Sequence, residues 1–339
     1  MHVPVLRALE DVRLEAVCDP DPARLETFAE KHGVPRSFQD LESFVEENAD
    51  LDLVLVATPG YTHYEVVQPL LRAGINIFVE KPLALTYAHA LEIQRLAHER
   101  QAKVCVGHTW RFRDAVVRAR QAVDQGLVGT IYQANVVHHG GSLFHAAMPP
   151  WAWNEKESRA VLYEHCFHLL DLQVHFAGPV REIVSVKVID DAATQVTARV
   201  YALIVHEGGA TSIVDLQHFA STKFTRFELF GTANDIEIKF FPESYRLYSG
   251  SLNPIDELVG EVARIWGFLH PILRERVRRS VVPRRCRPHH RVLRQFVEAL
   301  QDDSTRVPVT IEDVLPTMSY LDRLSAVVYP VDGAARVDS

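Results

Sequence analysis

The stretch Ile75-Asn76-Ile77-Phe78-Val79-Glu80-Lys81-Pro82-Leu83-Ala84 decides the fold. Ile75 to Val79 is a short apolar run of the kind a parallel sheet buries on both faces. Pro82 stops that strand and turns the chain toward a helical segment from Leu85 to Arg100. Ligands of parallel α/β sheets gather outside the carboxyl ends of the strands, and Lys81 stands at such an end. A lysine there can donate to, or exchange a proton with, a substrate hydroxyl or carbonyl. Taken alone it is more simply a solvated lysine, so the rest of the chain has to decide.

Upstream, residues 13 to 18 alternate and end at Asp19, followed by Pro20-Asp21-Pro22. This pattern predicts a strand, an acid at its carboxyl end, and a helix capped by Asp21 that opens at Pro22, runs to His32 and stops at Gly33. A short helix is expected over 40–47. A strand is expected from Leu51 to Ala57, ending at Thr58-Pro59-Gly60, then a helix from Tyr61 to Arg72, and a last strand from Lys103 to Gly107. The alternation predicts βαβ units and a doubly wound parallel sheet.

A dinucleotide-binding sheet of this kind carries G-x-G-x-x-G after its first strand, with an acid roughly 20 residues later on the ribose hydroxyls. Asp19 suits that acid, but the loop and its strand are absent from the sequence, and His2 to Glu10 reads as the helix that follows such a loop. Either the recorded Met1 is internal to a longer chain, or the protein lacks the pyrophosphate cradle. The first is favoured: the missing strand is central in a 3-2-1-4-5-6 sheet, and the flanking pattern is intact.

The 339 residues suit two domains, expected at 1–125 and 126–339. Hydrophobic content of 47% and charged content of 24% are those of a globular protein. No apolar run reaches the roughly 18 residues of a membrane span, no signal pattern opens the chain, and a cytoplasmic location is expected. The net charge of -8 argues against nucleic-acid binding. The four cysteines are scattered, and neither His138-His139 nor His289-His290 has companion ligands, so no disulfide framework or metal site is expected. Only seven of the 36 basic residues are lysines, which makes the place of Lys81 more pointed.

From Thr130 onward, strands are expected over 130–139, 181–189, 194–206, 210–219, 224–231 and 236–241, with the period-two alternation of an antiparallel sheet buried on one face. Trp151 and Trp153 lie in the loop after the first of these; their indoles could stack on a sugar ring or pack at a domain interface. Residues 255–270 read as an amphipathic helix, followed by arginines at 274, 276, 278, 279, 284, 285 and 287. These arginines suit a subunit-contact or surface segment, a phosphate contact, or a membrane surface. Closing helices are expected over 289–300 and 311–327.

In Leu162-Tyr163-Glu164-His165-Cys166-Phe167-His168-Leu169-Leu170-Asp171, a spacing of four places Glu164 and His168 one helical turn apart. A carboxylate beside an imidazole raises its basicity and orients it, which suits removal of a hydroxyl proton. The plain alternative is a helix histidine packed beside Leu169 and Leu172.

The chain resembles the glucose–fructose oxidoreductase / inositol dehydrogenase (Gfo/Idh/MocA) family. The resemblance is carried by Val17-Cys18-Asp19-Pro20-Asp21, Thr58-Pro59-Gly60-Tyr61-Thr62-His63, Glu80-Lys81-Pro82 and Arg111-Phe112 after Gly107-His108. Phe296-Val297-Glu298-Ala299-Leu300 followed by Val309-Thr310-Ile311-Glu312-Asp313 adds a fifth match. Glu-Lys-Pro alone is a weak tripeptide; joined to T-P-x-x-x-H about 20 residues upstream, it is specific.

The resemblance implies a Rossmann-like domain, lacking its first strand here, and a C-terminal α+β domain with an open, mainly antiparallel sheet. It implies an NAD(P)-dependent oxidoreductase acting on a secondary alcohol or ketone of a sugar, cyclitol or sugar derivative, assembled as a homo-dimer or tetramer. Asp19, Thr58, Pro59, His63, Glu80, Lys81 and Arg111 are then expected at the cofactor, NAD being favoured over NADP by Asp19. His168 is expected as the base, with Lys81 on the reacting oxygen and Glu164 orienting substrate, beside Trp151 and Trp153. Two departures stand out: Glu164 replaces the family's usual aspartate, displacing the carboxylate by more than ~1 Å, and Ser158-Arg159-Ala160 replaces a glycine pair. With the missing loop they leave a second reading open, a catalytically silent relative that binds a sugar-like ligand or a partner protein.

Overall fold

The computed structural model describes residues 2–140, 162–163, 166–191, 197–218, 220–249, 262, 266 and 286–330. The chain forms two compact units, residues 1–109 with 280–315 and residues 110–279 with 316–339. The expected boundary at 125/126 is therefore corrected. Helix Asp114–Asp124 belongs to the second unit, where the Arg113 guanidinium meets the Glu243 carboxylate at 2.6 Å and the Ala115 N–H donates to it at 3.0 Å. Residues 280–315 return to the first unit. There Phe296 packs on Phe78, the Val106 N–H donates to the Val309 carbonyl, and Lys103 reaches Asp303 at 2.6 Å.

The first unit holds five short parallel strands: β1 Ala16–Cys18, β2 Arg36–Phe38, β3 Leu53–Val56, β4 Asn76–Val79 and β5 Val104–Val106. Among the described residues they form two separate sheets, β1–β2 and β3–β4–β5. The split falls where the expected order lacks its first strand. β1 and most of β3, which flank that place, are only half-buried, whereas Ile77–Val79 and all of β5 are buried. Strand β2, three residues of mixed polarity, escapes the period-two pattern and was not expected.

The helices follow their caps. Asp21 accepts from the N–H groups of Ala23 and Arg24, Pro22 opens the helix to His32, and Gly33 closes it at φ 56°. Thr86 caps Tyr87–Arg100 and Asp40 caps Leu41–Glu47, each stopping free N–H groups from facing solvent unpaired. The expected first helix, His2 to Glu10, is shorter, His2–Leu6. Val67, Leu70, Ile77, Phe78, Leu83, Ile93 and Phe296 fill the core, each fully buried side chain contributing roughly 1.5–3 kcal/mol.

The second unit is built on a seven-stranded sheet in the order β12-β11-β10-β6-β9-β8-β7. Its strands are β6 Ile131–His139, β7 Val180–Asp190, β8 Thr197–His206, β9 Thr211–Gln217, β10 Phe224–Gly231, β11 Asn234–Phe240 and β12 Glu243–Ser249. All neighbours are antiparallel except β6 and β9. Val136, Val200, Val214, Phe227 and Ile238 form the buried face. Helix Phe167–Ala177 covers it, with Gln173 donating to the Ala134 carbonyl and Phe176 against Phe227. On the opposite face Leu203 and Ile213 pair in register and are 39% and 45% exposed.

Strand β12, mostly polar, was not expected. Val262 and Trp266, the described residues of the expected helix 255–270, are helical and well exposed; the rest of that helix and the arginines of 274–285 lie outside the described residues. Among the described residues no helix is long and apolar enough to cross a membrane.

Candidate active site

In the first unit the polar residues stand at strand ends. Asp19 follows β1, its Oδ1 accepting from the Asp21 N–H at 2.9 Å. Thr58 and Pro59 follow β3, with the Thr62 hydroxyl 2.9 Å from Thr58 Oγ1 and 2.8 Å from the Pro59 carbonyl. Glu80 and Lys81 follow β4, and the Lys81–Pro82 peptide is cis.

One side chain ties two of these ends together. The His63 ring places Nδ1 at 2.5 Å from the Pro82 carbonyl and Nε2 at 2.9 Å from the Thr58 carbonyl. A neutral imidazole carries one N–H, so both contacts are donated bonds only when the ring is protonated. This link joins the T-P-x-x-x-H element to the E-K-P element in space. It also corrects the expectation that His63 lines the cofactor crevice: the ring is fully buried, with no surface to offer a ligand.

Glu80 is held from several sides. Its N–H donates to the Val56 carbonyl at 2.9 Å. Its Oε1 lies 3.2 Å from His2 Nε2 and 3.4 Å from His289 Nε2, two residues from opposite ends of the sequence. Burial alone pushes this carboxyl up, but the two imidazoles outweigh it and hold the group well below the usual carboxylate range. Gly107 backs onto it; a Cβ there would sit 3.0 Å from Glu80 Oε2 and 3.1 Å from Glu80 Cα, closer than ordinary contact, so a larger residue would push on Glu80.

In the second unit His168 is the second residue of helix Phe167–Ala177, which begins after Cys166. Its imidazole stacks on the Trp110 indole, with centroids 5.2 Å apart and planes 9° from parallel. Trp110 also touches Phe240 at 4.4 Å, and the Arg113 guanidinium lies 5.0 Å from the indole centroid. One turn along the helix, Asp171 accepts from Arg111 Nε at 2.8 Å and Nη2 at 2.6 Å, and from the Thr317 hydroxyl at 2.9 Å.

The Arg111–Asp171 pair is nearly sealed from solvent, at 11% and 1% side-chain exposure. Arg111, expected at the cofactor, here faces Asp171. Its guanidinium fork is spent on an internal carboxylate, the bidentate geometry in which arginine binds most strongly. Glu164, Trp151 and Trp153 lie outside the described residues, as does the Ser158–Ala160 departure. Sequence reasoning did not find Trp110, Glu243, Thr317, or the roles of His2 and His289. Only Trp110, beside the Arg-Phe pair, carried any local signal. Among the described residues no group of three or more His, Cys, Asp or Glu side chains could hold a metal ion.

A parallel βαβ unit with polar residues at its strand ends, followed in the chain by a mainly antiparallel α+β unit, is a two-domain architecture with a Rossmann-like first unit. The comparisons make this specific. Residues 1–108 match the model described as the oxidoreductase family with an NAD-binding Rossmann fold, and residues 116–237 match the GFO/IDH/MocA C-terminal domain. The chain belongs to the Gfo/Idh/MocA family.

The chain is 25% identical over 217 residues to the D-apiose dehydrogenase of Paraburkholderia graminis, covering 64% of this chain and 57% of that protein. It is 28% identical over 195 residues to the inositol 2-dehydrogenase of Rhizobium meliloti, covering 57% and 56%. It thus spans little more than half the length of these relatives. Among solved structures, an oxidoreductase from Agrobacterium radiobacter in complex with NAD+, L-tartaric acid and magnesium superposes with TM-score 0.74 at 17% identity, over 94% of this chain and 91% of that one. Levoglucosan dehydrogenase in complex with NADH and levoglucosan superposes at 0.65 and 19%, over 74% and 73%. These likenesses concern the fold.

The family's cofactor can be tested against the residues present. Asp19 offers a second carboxylate oxygen at the carboxyl end of β1, and Thr58 is exposed after β3. These fit the ribose and crevice contacts of a dinucleotide. The sequence holds no G-x-G-x-x-G for the pyrophosphate, so the fit covers the strand-end contacts.

Proposed function

We propose that this chain acts as an NAD(P)-dependent oxidoreductase on a secondary alcohol or ketone of a sugar, cyclitol or sugar derivative, with NAD favoured over NADP. The observation that carries the reading is the link through His63, which joins the two family motifs and fixes the turn holding Lys81 at the end of β4. Asp19, with Thr58 and Pro59, would hold the cofactor, and Asp19 would repel a 2′-phosphate. When bound, NAD supplies the acceptor or donor of the hydride.

In the oxidative direction Lys81 donates a hydrogen bond to the reacting oxygen and stabilises the charge that develops on it. His168 accepts the hydroxyl proton on a ring nitrogen and returns it in reduction. That both serve one substrate rests on the sequence motifs, as do the substrate contacts assigned to Glu164, Trp151 and Trp153. Leu203 and Ile213, exposed side by side on the sheet, support a homo-oligomer contact, dimer or tetramer. The negative net charge supports the absence of nucleic-acid partners, and a cytoplasmic location completes the reading.

The test is a fluorescence titration of the 339-residue chain with NADH and NADPH, followed by a turnover screen of sugars and cyclitols. Saturable binding in the micromolar range, tighter for NADH, is expected. Absence of binding to both is followed by the same titration on an N-terminally extended chain: recovery supports the enzyme reading, and continued absence overturns it in favour of the silent, ligand- or partner-binding relative.

A further inference from the structure

We propose that Trp110 is a positioning residue for His168, its indole face fixing the plane of the imidazole and raising its affinity for a proton. The proposal rests on the reading of His168 as the proton acceptor and adds a residue that neither the family motifs nor the spacing singled out.

The geometry is that of a grip at two points. Consecutive residues 110 and 111 hold helix Phe167–Ala177 one turn apart, Trp110 by stacking on His168 and Arg111 by its fork on Asp171. A buried bidentate pair tolerates little slip, so it sets the height of the helix against Trp110 to within a fraction of a turn. The planes of Trp110 and His168 are 9° from parallel, which constrains the ring torsion of a histidine at the second position of its helix.

Trp110 is itself braced. Phe240 lies against it at 4.4 Å and Phe241 at 6.1 Å. The Arg113 guanidinium sits 5.0 Å from the indole centroid and reaches both Glu243, at 2.6 Å, and the Phe240 carbonyl, at 3.3 Å. Glu243 in turn accepts from the Ala115 N–H. The stack is therefore anchored to the turn between β11 and β12. A tryptophan face attracts a cation more strongly than any other side-chain ring. An imidazole stacked on it consequently gains more when protonated than when neutral, the direction that helps a base receive a proton.

The test needs no substrate. The His168 ring resonance is identified in histidine-labelled protein by its loss in His168→Gln, and its titration is followed in the native chain, Trp110→Phe and Trp110→Leu. In Trp110→Leu the midpoint should fall by about half a pH unit and the ring protons should lose their upfield ring-current displacement. Trp110→Phe should keep most of both. Unchanged shift and midpoint in Trp110→Leu would overturn the proposal. Should that variant fail to fold, nuclear Overhauser contacts between the Trp110 and His168 rings in the native chain decide: their presence supports the stack and their absence overturns it. Failure of the underlying reading looks different, since it appears as native-like turnover in His168→Gln whatever the resonances show.

Discussion

The two units hold their candidate catalytic residues by opposite means. In the first, Lys81 ends a strand of four residues, and what surrounds it is backbone: the His63 ring on two carbonyls, the Glu80 N–H on Val56, and Gly107 close behind. In the second, His168 rides a helix laid over strands of seven to eleven residues, gripped by the side chains of Trp110 and Arg111. Backbone anchoring demands particular residues at particular spacings, whereas side-chain anchoring demands partners that the chain brings from anywhere.

The comparison breaks most decisively at the two residues themselves. Lys81→Ala and His168→Ala should each lower turnover by about 10³-fold or more while leaving the circular dichroism spectrum unchanged. Native-like turnover in either variant would remove its half of the comparison. Next comes the grip. Asp171→Ala leaves the Arg111 guanidinium buried without its carboxylate and should cost about 3–5 kcal/mol in urea denaturation. A loss well under 1 kcal/mol would mean the side-chain anchoring is dispensable.

The smallest expected effect separates the units by pH. Burial pushes the His138 imidazole, on the covered face of the large sheet, down to about 4. A histidine depressed in the folded state contributes stability above its unfolded value near 6.5 and loses it as pH falls toward the folded value. The loss is on the order of 3 kcal/mol at most, between about pH 6.5 and 4. Glu80 in the first unit is held below the carboxylate range, so its contribution survives that interval and is lost only at lower pH. Amide protection factors, with the intrinsic pH dependence of exchange divided out, should therefore fall first in β6 and its neighbours between pH 7 and 4.5. An equal fall around β4 would contradict the assignment.

Legibility in the sequence follows the same division. The helix from Pro22 to His32 was plain because Asp21, Pro22 and Gly33 each do one thing that few residues can. The T-P-x-x-x-H and E-K-P elements were plain because a histidine bridging two turns cannot drift in position. Their roles were less so: a ring on two carbonyls and a ring lining a crevice occupy the same place in the sequence, and burial alone told them apart. The alternation of β6 to β11 was legible from period two, whereas β12, Glu-Ser-Tyr-Arg-Leu-Tyr-Ser, is too polar to announce itself. The pairing of Arg111 with Asp171, of Arg113 with Glu243, and of Glu80 with His2 and His289 left no trace, because attraction between distant charges imposes no spacing.

Phe78, on the strand that leads to Lys81, packs against Phe296, and the Val106 N–H donates to the Val309 carbonyl. During synthesis from the amino terminus, those partners emerge after the whole of the seven-stranded sheet has been made. The first unit thus cannot complete its core in the order in which it is written. Its early strands must wait, incompletely covered, until residues 280–315 have followed the seven-stranded sheet off the ribosome.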